Sequence, residues 1–202
     1  MRLFVALTPP AEVVEELRAG TSALQEMTQR EVAPQLRWTR PEQWHLTLAF
    51  LGEVDEPVVA ELTTRLARAA KRHPPLSLSF GGGGRFGQRV LWTRVNGDRH
   101  GLGRLADSVR AAARRCGLPV EQRPYRPHLT LARADGGTDL QPLVEGLASG
   151  EGQPWVADRL YLIHSRLGAG PDRSALHEPA ASWPLEGGSS QRASTRANSS
   201  GT

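Results

Sequence analysis

His45-Leu46-Thr47-Leu48-Ala49 and His128-Leu129-Thr130-Leu131-Ala132 are the same five residues written twice in one chain. Side chains alternate across a strand, so in each copy the histidine and threonine share one face and the two leucines share the other. The leucine face belongs in a core and the His/Thr face at an opening. A polar pair carried in this way is held on a rigid element.

Working outward, the surroundings of the two copies also match. Leu3, Val5 and Leu7 alternate as a strand; after Pro9 and Pro10, the positions Val13, Leu17, Leu24 and Met27 make a helical stripe. The first motif strand covers residues 44–51. Asp55 and Pro57 then open a helix with Val58, Leu62, Leu66 and Ala69 inside, and Leu76, Leu78 and Phe80 form a strand that Gly81–Gly84 ends as a flexible connector. The order then repeats: a strand at 89–95, a helix with Leu102, Leu105, Val109, Ala112 and Cys116 that stops at Gly117, the second motif strand at 127–133, a short helix around Leu140–Leu147, and a strand at 155–164. The two histidines are 83 positions apart (45 to 128). Two repeats are therefore expected, at about 1–80 and 89–164, within one domain over 1–186. Segments 174–177 and 181–185 could add edge strands to the second half. Residues 187–202, rich in Ser, Gly, Asn, Thr and Arg, read as a disordered tail. The expected fold class is α+β, with two pseudo-symmetric lobes, each a small antiparallel sheet backed by helices, and a central groove carrying both motifs.

Composition narrows the function classes. At 202 residues and 39% hydrophobic content the chain can bury a core. No apolar run approaches the roughly 20 residues of a membrane span. The lone Cys116 cannot form an internal disulfide, and with no secretory signal in residues 1–10 the expected location is the cytoplasm. Lys and Arg together outnumber Asp and Glu by 25 to 21, and Lys71 is the sole lysine. The planar guanidinium fork suits phosphate, which points to an anionic partner. An arginine-rich, lysine-poor chain is also what a GC-rich genome writes.

Two histidines facing one groove can act as base and acid near neutral pH, because imidazole titrates at about 6.5. Hydrolysis of a cyclic phosphodiester needs both: a base for the attacking water and an acid for the leaving alkoxide. Threonine hydroxyls can donate to the phosphoryl oxygens as their charge builds. No cofactor is needed. A zinc site would want three or four ligands, and no third His or carboxylate sits at supporting spacing, so no metal is expected. His73, His100, His164 and His177 lack a partner motif and read as surface residues, and Trp44 reads as core. Phe86 could stack on an RNA base or plug a hydrophobic gap.

These segments resemble the 2H phosphoesterase superfamily and, within it, the RNA 2′,3′-cyclic phosphodiesterases, also called 2′-5′ RNA ligases. The resemblance covers residues 1–185 and is carried by MRLFVAL (1–7), RWTRPEQWHLTLAFLGEV (37–54), GRFGQRVLW (84–92), RPYRPHLTLAR (123–133) and HSRLG (164–168). It implies metal-independent hydrolysis of a 2′,3′-cyclic RNA end to a 2′-phosphomonoester, with His45 as proton donor and His128 as proton acceptor. The chain is expected to be a monomer. Thr47, Thr130 and Arg133 would hold the phosphate. Parity opposes Arg133, since an offset of five from His128 places it on the leucine face unless the strand bulges near Ala132. Arg123 and Arg126 are further candidates for RNA contact, or solvated surface charges. Two other readings are a 2′-5′ RNA ligase joining a cyclic end to a 5′-hydroxyl, and a non-catalytic RNA- or phosphate-binding module.

Overall fold

A computed structural model describes residues 1–30, 36–148 and 150–187. The expected tail thus lies, from residue 188 onward, outside the described residues. Along the chain run β1 (Arg2–Leu7), α1 (Ala11–Arg30), β2 (Leu36–Trp38), β3 (Leu46–Glu53), α2 (Glu56–Lys71), β4 (Leu76–Phe86), β5 (Val90–Gly97), α3 (Arg99–Arg115), β6 (His128–Ala134), α4 (Gln141–Gly146), β7 (Trp155–Ala157), β8 (Arg159–Arg166) and β9 (Leu176–Pro184). The class is α+β, as expected. No helix among the described residues is long and apolar enough to cross a membrane.

The strands form two antiparallel sheets, one of order β3-β1-β8-β9 and one of order β2-β6-β5-β4-β7. Each half of the chain sends its last long strand into the other half's sheet: β4 pairs with β5, and β8 pairs with β1. The halves therefore cannot separate without breaking both sheets. Leu46, Leu48, Leu129 and Leu131, the anchors of the two motifs, are at most 1% exposed and belong to one core shared by both sheets. Burying a leucine is worth roughly 1.5–3 kcal/mol, so the motif strands are held firmly from behind. Helix α2 packs on α3 and β9, α3 on β3, and α4 on β4. Asp98 caps α3 by accepting from the Gly101 amide at 2.7 Å, and Gly117, at φ +73°, follows its end as expected.

Three expectations change, and one strand is added. The strand at 155–164 is two strands in different sheets: β7 pairs with β4 and β8 with β1. The switch is visible in the spacing, because the buried positions Trp155 and Ala157 continue as Leu160 and Leu162, breaking the period of two. Segments 174–177 and 181–185 belong largely to the single strand β9, at the edge of the sheet that holds β1 and β3. Strand β2, too short to show a period, adds an edge beside β6. Gly81–Gly84 is no connector, since β4 runs straight through it with a bulge between Phe80 and Gly83.

Close approach explains those glycines. A Cβ on Gly84 would stand 2.2 Å from the Trp92 indole, and one on Gly83 2.8 Å from the Val144 carbonyl of α4. The indole therefore lies directly across the backbone of β4. Gly84→Ala should cost about 1–3 kcal/mol as Trp92 is forced aside. Gly103→Ala, in open space within α3, should instead stabilise by up to about 1 kcal/mol. Urea unfolding of the two variants should shift the midpoint in opposite directions; equal shifts would mean that Trp92 moves freely.

Candidate active site

One extra residue just after the threonine of each motif sets the geometry, and β3 takes a second at Leu51, past the motif. Along β6, His128 faces Arg94 of β5 and Thr130 faces Trp92; the register then slips at Leu131, so that Ala132 faces Leu91 and Arg133 faces Val90. Arg94, Trp92 and Val90 share one face of β5, so Arg133 lies on the face of His128 and Thr130. The parity objection is met by the bulge. In β3 the slip falls at Leu48: Thr47 faces Ala6, Ala49 faces Val5, and Phe50 comes opposite Phe4. Phe50 is thus the counterpart of Arg133, and it is 62% exposed. Residues of β3 and β6 come within 8 Å of each other, Cα to Cα, which brings the two motifs together.

Both histidines are oriented identically. The Nδ1 of His45 lies 2.5 Å from the Gln43 carbonyl oxygen, and the Nδ1 of His128 lies 2.7 Å from the Arg126 carbonyl oxygen. A carbonyl can only accept, so Nδ1 must donate, and Nε2 is the atom left to give or take a proton in each ring. Neither threonine hydroxyl is engaged by another group among the described residues. Burial lowers the proton affinity of His128; the Arg126 carbonyl opposes this, and the Arg133 charge adds to it. His45 is pushed down to about 4, first by burial and then by His177, with Arg133 and His128 contributing. Arg133 thus acts electrostatically on both rings.

His177 overturns its expected place at the surface. It stands on β9 opposite Ser165, with its ring 5.3 Å from that of His45 and 5.0 Å from Phe4, which itself lies 4.6 Å from His45. Its Nδ1 is buried without a partner. The Gln43 side chain donates to the Ala175 carbonyl, so the start of β9 also steadies the residue that orients His45. No local pattern marks His177; only the pairing of β8 with β1 and β9 brings it here. Trp44 is buried, as expected.

Phe86 meets the His128 ring edge-on at 4.9 Å and lies 5.3 Å from Trp92. With Arg126 and His128 it lines a cavity of about 320 Å³. Arg123 is not among the lining residues: it pairs at 3.8 Å with Glu121, and its carbonyl accepts from Arg110. Arg37 of β2, which sequence reading passed over, faces Arg133 across the strand pair. Among the described residues no group of three or more His, Cys, Asp or Glu is placed to hold a metal ion.

Residues 5–169 match the model of a protein family described as the 2′-5′ RNA ligase superfamily. The chain belongs to this superfamily. Among curated members, it is 36% identical over 139 residues to the RNA 2′,3′-cyclic phosphodiesterase of Bacillus subtilis strain 168, covering 67% of this chain and 75% of that protein. It is 31% identical over 155 residues to the protein of the same name from Geobacillus stearothermophilus, covering 74% of this chain but only 48% of that one. The crystal structure of E. coli LigT complexed with NADP+ superposes with a TM-score of 0.71 at 26% identity, covering 91% of this chain and 96% of LigT. Superfamily membership and the two-lobed fold thus agree with the doubled motif.

In His177→Gln, a neutral amide replaces a ring whose positive charge opposes protonation of His45. The NMR titration of His45 should then move to higher pH than in the unmutated chain, while that of His128 stays in place. An unmoved His45 midpoint would remove His177 from the causes of its depression and leave burial, with Arg133 and His128, to account for it.

Proposed function

We propose that this chain hydrolyses RNA 2′,3′-cyclic phosphate ends to 2′-phosphomonoesters without a metal, using its two histidines as acid and base. The single observation that carries the reading is the matched pair of Nε2 atoms, each freed by a backbone carbonyl and both brought to one groove with Arg133. The names of the curated relatives support the substrate class. A water oxygen attacks phosphorus as His128 Nε2 takes its proton. The bond from phosphorus to the 3′-oxygen breaks as His45 Nε2 gives its proton to that oxygen. Thr47 and Thr130 donate to the phosphoryl oxygens, and Arg133 balances their charge. The product keeps its phosphate on the 2′-oxygen, and solvent exchange resets the two rings.

This order of roles sets a requirement. In the free site His45 is the more depressed of the two and holds no proton at neutral pH. An anionic phosphodiester beside it favours the imidazolium, so the substrate supplies the condition under which His45 becomes an acid. The proposal also takes residues 1–186 as one domain of two repeats, about 1–80 and 89–164, supported by the matching orders β3-β1-β8-β9 and β6-β5-β4-β7. It takes the working form to be a cytoplasmic monomer, in keeping with the lone Cys116.

A cyclic-ended oligonucleotide should be opened in the presence of EDTA, with the phosphate found on the 2′-oxygen. His45→Ala and His128→Ala should each slow this roughly 10²- to 10⁴-fold and leave thermal unfolding unchanged. Full activity in either variant would remove the two-histidine mechanism. The pH profiles carry a sign: kcat/KM reports the free enzyme and kcat the complex, so the alkaline limb of kcat/KM should lie at lower pH than that of kcat. Coincident limbs, with His45 neutral in the product complex by NMR, would exchange the two roles.

A further inference from the structure

The two halves match around their histidines, but they differ in what lies beyond. On the four-stranded sheet the space beside His45 is filled: Phe4 and His177 close on the ring, and the neighbouring position on β1 is Ala6, fully buried. On the five-stranded sheet the residue matching Ala6 is Trp92, opposite Thr130, with Arg94 next on the same face opposite His128, and the space stays open as the cavity of about 320 Å³. Arg94, Arg99 and Arg126 line it together with Phe86, Trp92 and Tyr125, and no carboxylate is among the lining residues. None of the three guanidinium groups makes an ion pair or hydrogen bond among the described residues. Beyond the cavity, Arg37 and Arg133 sit directly opposite each other on the same sheet, a like-charge pairing that costs stability unless an anion lies between them.

Unpaired guanidinium groups converging on an aromatic wall suit a ligand that is anionic and planar by turns. From this geometry we infer that the cavity is a binding site for the nucleotide of the RNA strand next to the cyclic end, which the enzyme thereby distinguishes from a cyclic mononucleotide. Arg94 and Arg99 take its phosphodiester, and Phe86 with Trp92 offers a stacking surface to its base. The indole is in place because Gly84 leaves room for it. This inference rests on the cyclic phosphodiesterase reading for the identity of the strand, and it adds the substrate's polymeric character to that reading.

Two measurements separate the inference from the reading beneath it. Binding of a short fluorescent RNA ending in a 2′-phosphate, followed by anisotropy, needs no turnover. The double variant Arg94→Ala/Arg99→Ala should bind this RNA at least tenfold more weakly than the unmutated chain, and the slope of log K against log salt should be shallower by about 0.7 for each arginine lost. In turnover, the preference in kcat/KM for a cyclic-ended oligonucleotide over 2′,3′-cyclic AMP should fall by a similar factor. Unchanged RNA affinity and unchanged preference in a folded double variant would overturn the inference. If the unmutated chain opened neither substrate, the proposed function would fail on its own account, and the anisotropy result would still decide the cavity.

Discussion

Alternation along a strand is strict, and every groove residue here depends on how each motif strand breaks it just after its threonine. Before the slip, His128 and Thr130 face the groove while Leu129 and Leu131 face the core. Without the slip, Arg133 would follow the leucines inward, an unpaired charge in an apolar interior. The extra residue turns it outward at no loss to the leucine anchors. The same slip in β3 turns out Phe50, so one geometric device supplies a cation on one sheet and an aromatic ring on the other.

How much of this was legible in the sequence follows from how local each cause is. His45, Thr47, His128 and Thr130 could be read because five consecutive residues recur, and the recurrence with its flanking elements implies two lobes around one groove. The helices were legible from their apolar spacing, and the stop at Gly117 from its chemistry. The glycine run misled, because the usual inference from four glycines is flexibility, whereas Gly83 and Gly84 are there for the closeness of α4 and Trp92. His177 had no signal at all: it reaches His45 from 132 residues along the chain, from the far edge of a sheet in which β8 and β1 lie between β9 and β3, and the contact exists only once β8 has crossed between sheets.

The exchange of β4 and β8 also bears on how the site is kept. Each motif strand belongs to a sheet completed by the opposite half, so the distance between the histidines is set by one shared core and not by a hinge. Within that fixed frame the halves have been made electrically unlike: His45 is enclosed by Phe4 and His177, whereas His128 looks onto unpaired arginines. A symmetric scaffold with unequal surroundings is what a reaction needs when one group must give a proton and its twin must take one.

The carbonyl oxygens that hold the two imidazoles belong to Gln43 and Arg126, residues with nothing in common as side chains. Each ring's tautomer is therefore written in the path of the main chain, which every amino acid supplies alike. Substitution at either position can alter charge, bulk or affinity around the groove and still leave the reactive nitrogen pointing the same way. The proton chemistry is thereby insulated from change in the residues nearest to it, and the rim of the site is free to diverge around a constant centre.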